Sequence, residues 1–193
     1  MTMVWTDLET TGLDPATNTI LEVAMIVTDD DLNIMGQYTS LVLNHPPARL
    51  KEVYTIYPGH FENGLMDDLE LAYNRIVAQK EQPYPTSAWV EKEICAVLEK
   101  LQIRAKAEMS ERPVLAGSTV SFDRGFMKRY MPAVLDHLHY RNIDVSSIRE
   151  LAKRWRPDLR ETEPVPEKKA HRALQDILCS IDFLRHYRKK WLT

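Results

Sequence analysis

Long apolar runs are missing from this 193-residue sequence. None approaches the roughly 18 residues that a helical membrane span requires, so no such span is expected. Cysteine is scarce. Cys95 and Cys179 both fall in amphipathic helical patterns and read as buried free thiols of a reducing compartment, which excludes a disulfide scaffold. A basic, apolar leader and an Arg/Ser-rich transit segment are also absent, because Met1-Thr2-Met3-Val4-Trp5 runs straight into a strand pattern. A cytoplasmic location is therefore expected, or a mitochondrial one had a leader been removed. Nor is positive charge in excess: 25 Lys and Arg stand against 28 Asp and Glu, a net charge of −3. That disfavours a broad basic face for long nucleic acid, since such affinity rests on many phosphate contacts. A short anionic substrate, held by a few contacts or by metal ions, is not excluded. The local basic clusters, Arg149 to Arg156 and Arg185 to Lys190, read as solvated helix faces.

What is present is an ordinary globular composition, 44% hydrophobic and 27% charged. A chain this long buries roughly 70% of the surface it exposes when unfolded, and needs no metal or disulfide staple to fold. A single domain over residues 1–193 is expected. Val4 to Leu8 is an apolar strand closed by the turn signal Thr10-Thr11-Gly12-Leu13-Asp14-Pro15. Ile20 to Thr28 and Ile34 to Leu43 follow as second and third strands. From Pro46 to about Gln82 the pattern is helical, broken at Pro58-Gly59, and another helix carries Trp89, Ile94, Val97, Leu98 and Leu101. Pro113 to Thr119 is a fourth strand, with Ser121 as N-cap of the next helix. Arg141 to Val145 is a fifth, leading into a helix capped near Ser146 or Ser147. Residues 157–169 carry three prolines and no periodicity, and read as a mobile surface loop. A last helix runs from about Ala170 to Trp191. Strands first, then helices alternating with strands, point to an α/β fold with a mixed sheet.

Three short patterns carry chemistry. In Asp7-Leu8-Glu9, at the end of the first strand, residues i and i+2 point to one face, so both carboxylates project side by side. Two carboxylates that close suppress each other's ionisation unless a cation lies between them, and hard oxygen ligands suit Mg²⁺ or Mn²⁺. About one Asp-x-Glu is expected by chance in such a composition, and taken alone the pattern reads as a solvated turn. Asp68-Leu69-Glu70 repeats it in a helical setting that splays the side chains apart. Asp123, in the first turn of its helix, taken alone serves only the helix dipole. His171 and Asp176 open the last helix, where a histidine beside a loop can take a proton from water. His139 and Asp144 have the same spacing on the way into a strand.

Each pattern is bland alone; the order and placement of the three are not. Asp-x-Glu on strand one, an Asp opening a middle helix and His-x4-Asp opening the last helix resemble the DEDD exonucleases, in the branch with a histidine. Further segments are similar to the oligoribonuclease family: Thr11 to Pro15, Lys128 to Pro132, His139 to Arg141 with Asp144 to Ser146, and Glu150 to Trp155. The resemblance covers the whole chain. It implies a ribonuclease H-like mixed five-stranded sheet flanked by helices. It also implies a 3′→5′ exoribonuclease that cuts very short RNA, dinucleotides above all, to nucleoside 5′-monophosphates. On that resemblance Asp7, Glu9, Asp123 and Asp176 hold two divalent cations, Mg²⁺ or Mn²⁺, and His171 is the general base. Leu13 wedges against the substrate bases. His60, Arg141, Ser146 and Ser147 cap the 5′ phosphate, joined by Tyr140 from the second subunit of a homodimer.

The chain departs from the family pattern in places. Thr10 stands where the family has methionine, a form common in generic and proofreading exonucleases, and Gly117-Ser118-Thr119 replaces Gly-Asn-Ser. A base-stacking tryptophan is replaced at Thr55, with Tyr54 and Tyr57 as the nearby aromatic candidates. The Thr10 form and the missing tryptophan favour a runner-up, a related exonuclease acting on longer RNA or DNA 3′ ends, which the negative net charge and the Tyr140 to Ser147 segment oppose. A third reading, an inactive nucleic-acid-binding module, is opposed by the presence of all five catalytic positions.

Overall fold

The computed structural model describes residues 2–79, 84–164 and 171–192. Its centre is β1 (Thr2–Thr10), which pairs antiparallel with β2 (Ile20–Asp29), which in turn pairs antiparallel with β3 (Ile34–Leu41). On its other side β1 pairs in parallel with β4 (Val114–Gly117), and β4 in parallel with β5 (Asn142–Asp144). The order is β3-β2-β1-β4-β5, the expected mixed five-stranded sheet. The chain leaves β1 to one side and returns on the other. The carboxyl ends of β1 and β4 therefore flank a crevice, the place where open α/β sheets bind ligands.

The helices are α1 (Pro47–Val53), α2 (Gly59–Glu62), α3 (Leu65–Gln79), α4 (Ser87–Lys100), α5 (Ser121–Tyr130), α6 (Pro132–Leu135), α7 (Val145–Trp155), α8 (Pro157–Glu161) and α9 (Ala173–Tyr187). Strand alternation sorts them onto two faces. Val4 and Leu8, Val23, Met25 and Val27, and Leu115 point to one face, covered by Val90, Ile94 and Leu98 of α4 and Phe126 and Met127 of α5. Met3 and Trp5, Ala24 and Ile26, and Ala116 point to the other, covered by Ala173, Ile177, Ile181 and Leu184 of α9. A third cluster, with Leu21, Leu50, Leu65 and Leu69, seats α1 and α3. Gly117 closes β4 where only a glycine fits, since an added Cβ would lie 2.8 Å from the Thr6 carbonyl oxygen. No helix of the described residues is long and apolar enough to cross a membrane.

Four local expectations are corrected. Ser121 does not cap α5: Val120 is the cap residue and no side chain bonds there. Asp144, not Ser146 or Ser147, caps α7, and its Oδ1 accepts the amides of both Ser146 (2.9 Å) and Thr119 (3.0 Å). The carboxylate wins because Asp is as good an N-cap as Ser and here also satisfies the amide of Thr119, from a second stretch of the same chain. Within the expected loop at 157–169, residues 157–161 form α8, with a proline preset for the first helical turn and Arg156 paired to Asp158 at 2.8 Å. Glu163 then binds Arg149, Arg160 and Tyr187, anchoring this stretch to α7 and α9. The remaining loop positions, 165–169, lie outside the described residues. Finally, Cys95 and Cys179 are free, and half-buried rather than buried.

Candidate active site

Asp7 and Glu9 continue the row begun by Met3 and Trp5, so both face α9. Asp176 lies in the first turn of that helix. The three side chains offer oxygens that all lie within 4.8 Å of one another. Burial raises the Asp7 carboxyl to about 7, with the charges of Asp176 and Glu22 adding to the effect. Burial again comes first for Glu9, raised to about 9 with help from Asp7, Asp176 and Glu22 and opposed by Arg172. Carboxylates crowded and desolvated this way are costly unless a cation neutralises them, and an all-oxygen donor set fits a hard divalent ion.

Asp123 reaches the site from the opposite face of the sheet, on α5. It joins through the backbone: its Oδ1 accepts the Leu8 amide at 2.9 Å, between the two β1 carboxylates. It is 3% exposed, and burial, followed by the Asp7 charge, holds its carboxyl well above the usual range. Asp7, Glu9, Asp123 and Asp176 line one cavity of about 320 Å³, together with His171. His171 is exposed and sits in the left-handed backbone region at φ 41°, with its carbonyl accepting a hydrogen bond from Asn63 Nδ2.

A groove of about 550 Å³ adjoins this cavity, and Leu13, Tyr57, Phe122 and His171 form part of its wall. Leu13 is 83% exposed, so its apolar side chain is free to pack against whatever enters the groove. Tyr57 stands edge-on to both His60 (5.5 Å between centroids) and His171 (6.0 Å). His60 lines the groove but is buried: its Nε2 bonds the Thr10 carbonyl at 3.1 Å, while Nδ1 faces Glu9 Oε2 at 3.6 Å without a hydrogen bond. Burial lowers its affinity for a proton, and the neutral ring donates from Nε2 to that carbonyl.

The other four positions assigned to the 5′ end line neither cavity. The Ser146 hydroxyl lies 3.1 Å from that of Thr119, which does line the carboxylate cavity. Ser147 is exposed one residue further along α7. Tyr140 is 63% exposed, stacked on His139 at 4.4 Å, with the Arg141 guanidinium 5.5 Å from its ring. His139 itself is occupied, its Nδ1 accepting the Arg141 amide at 3.0 Å.

Three residues of the site were not apparent from sequence. Thr119 has φ 56°, a strained value for a β-branched residue, which turns the chain between cavity and Ser146. Glu22 sits opposite Glu9 in the β1–β2 register, on the same face. Arg172 binds both oxygens of Glu22. A charge inside the apolar run Ile20 to Val27 was the available signal for Glu22, since such a charge needs a buried partner.

The model of the RNase T exonuclease family matches residues 4–184. The oligoribonuclease of Neisseria meningitidis serogroup A is 36% identical over 196 residues, covering 98% of this chain and 92% of the relative. That of Chromobacterium violaceum is 36% identical over 193 residues, covering 98% and 95%. Among solved structures, exonuclease I superposes with a TM-score of 0.68 at 15% identity, over 99% of this chain and 41% of that chain. The metal-free E. coli exonuclease I–single-stranded DNA complex gives a TM-score of 0.65, also at 15% identity, over 99% of this chain and 40% of that one. This chain thus spans about two fifths of those exonucleases, and the likeness establishes the ribonuclease H-like fold alone.

Proposed function

The chain belongs to the RNase T exonuclease family and, within it, to the oligoribonucleases, and on that premise we propose how its residues divide the work. It is a 3′→5′ exonuclease of short oligoribonucleotides. The observation that carries the assignment of roles is the meeting of Asp7, Glu9 and Asp176 oxygens within 4.8 Å at the foot of a groove walled by exposed Leu13 and Tyr57. Asp7, Glu9, Asp123 and Asp176 hold two divalent cations, Mg²⁺ or Mn²⁺. Such ions, when bound, stabilise the attacking and leaving oxygens of an in-line phosphodiester displacement.

The protein's own groups do the rest. His171, on the rim of the carboxylate cavity, takes the proton of the attacking water. The water oxygen bonds to phosphorus as the P–O3′ bond breaks, the 3′-terminal nucleotide leaves as a 5′-monophosphate, and the freed O3′ takes up a proton to become the new 3′ hydroxyl of the shortened RNA. Leu13 packs against the bases, and Tyr57 supplies the aromatic surface that Thr55 lacks. His60, Arg141, Ser146 and Ser147 close over the 5′ end, and Tyr140 completes that end from the second subunit of a homodimer. His60 lines the groove but is 4% exposed, with Nε2 bonded to the Thr10 carbonyl, so a contact with the 5′ end requires its ring to turn out of that position. The test is a gel of 5′-labelled RNAs from two to about twenty nucleotides with Mg²⁺, Mn²⁺ or EDTA. Steep preference for the dinucleotide with metal is expected. Equal degradation of the longest RNA would replace this reading by an exonuclease of longer 3′ ends.

A further inference from the structure

Glu9 and Glu22 are direct cross-strand neighbours. Like charges so placed destabilise a sheet, yet Glu22 is 9% exposed in a row of apolar residues. Its compensation comes from one residue beyond the proposed base. Arg172 Nε and Nη2 donate to the two Glu22 oxygens at 2.9–3.2 Å, and Nη1 donates to Asp68 Oδ2 of α3 at 2.8 Å. The same Glu22 Oε2 accepts the Ala173 amide at 3.0 Å, the first amide of α9. Arg172 is the cap residue of that helix but makes no side-chain cap bond to it. A carboxylate from β2 replaces the cap.

His171 is thus tethered on both sides. Asn63 holds its carbonyl, while Glu22 and Asp68 hold the side chain of the next residue. Its left-handed backbone is disfavoured for an L side chain and persists only where surrounding contacts over-determine it. Because Asp176 donates its amide to the Arg172 carbonyl at 3.1 Å, the same residue also sets the first turn carrying a cavity carboxylate. We propose that Arg172 is a positioning residue: spanning Glu22 and Asp68, it holds His171 and Asp176 in register with Asp7 and Glu9. The proposal rests on the reading of His171 as the base. A planar guanidinium suits the task because it grips two carboxylates at fixed angles, which an ammonium does not.

The test is a kinetic cycle on a dinucleotide at saturating metal, combining Arg172→Gln with His171→Ala, with amide exchange of the metal-free proteins alongside. Arg172→Gln should lower kcat by about a hundredfold, the cost of misplacing a reacting group by about an ångström, with KM little changed. His171→Ala should cost far less in the Arg172→Gln background than in the native chain, since a base already misplaced has little left to lose. Amides of residues 171–176 should exchange faster in Arg172→Gln while those of β1 do not. A general loss of stability would instead make the two substitutions multiply. If His171→Ala cripples the enzyme but Arg172→Gln keeps kcat within about twofold, or the effects multiply, the positioning role is wrong. If His171→Ala itself keeps the native rate, the reading of the base falls and the proposal with it. Should Arg172→Gln fail to fold, the same cycle on Asp68→Asn, which removes only a half-exposed arm of the clamp, decides by the same criteria with a smaller loss.

Discussion

The Asp123 carboxylate accepts the backbone amide of Leu8 at 2.9 Å, joining residues 115 positions apart. Leu8 lies between Asp7 and Glu9, so the bond holds the start of α5 against the segment carrying two cavity carboxylates. One oxygen of Asp123 is committed to structure, whereas Asp7 has no comparable backbone duty.

The two aspartates should therefore fail differently. Asp7→Asn is expected to lower activity by more than about a hundredfold, beyond what losing an outer partner of a metal site costs. It should also raise the melting temperature of the metal-free protein at pH above about 7, because it removes a carboxyl whose ionised form is disfavoured by burial and then by the neighbouring Asp176 and Glu22 charges. Asp123→Ala should lose activity and also about 1–3 kcal/mol of stability, from the buried Leu8 amide left without an acceptor. Thermal melts with EDTA distinguish the pair, and equal stability losses would contradict the distinction.

Stability without metal should fall as pH rises. Asp7 is raised to about 7 and Glu9 to about 9 in the folded chain, whereas both ionise near pH 4 when unfolded. Between these values the native state holds protons that the unfolded state has lost. This contribution is complete below about pH 4 and disappears as pH climbs through 7 and then 9. Metal binding displaces those protons, so the rise in melting temperature on adding Mg²⁺ should be larger at about pH 9 than at about pH 6. A metal-induced shift that shrinks with pH would refute the linkage.

His171→Ala should reduce the rate by about 10²–10⁴-fold, the range for losing a general base. A His171→Ala enzyme of near-native rate would remove His171 from the base role.

Substrate length gives the fourth outcome. A net charge of −3 disfavours a long phosphate track, so affinity is expected to concentrate at the ends of a short substrate. Leu13→Ala and Tyr57→Ala should each impair dinucleotide cleavage, as should Tyr140→Ala, although Tyr140 lines neither cavity of its own subunit. Mixing Asp7→Ala with Tyr140→Ala chains tests the partner contribution. In a two-fold dimer, free exchange should restore about a quarter of native sites. Demonstrated exchange without recovered activity would show that Tyr140 does not act across an interface.

Sequence by itself determined the elements and their faces. Apolar runs bounded by turn signals mark β1 and β2, and the two-residue repeat of a strand put Asp7 and Glu9 on one side of β1 before any contact was known. The order of the three acidic patterns, with the segments beside them, was enough to mark the family, because that order survives whatever the loops do. Asp7-Leu8-Glu9 and Asp68-Leu69-Glu70 are the same short string, however, and only their elements separate them. The strand projects both carboxylates into the cavity, while Asp68 on α3 becomes an arm of the Arg172 clamp. Tertiary structure alone decided that Glu22 belongs to the site, since its partner lies 150 positions away and its nearness to Glu9 is a matter of sheet register. It also decided that Asp123 arrives through a backbone amide, from the far side of the sheet. Local periodicity encodes which way a side chain points. Which faces then meet depends on register and crossover, set by contacts between distant stretches of chain that no window of sequence contains.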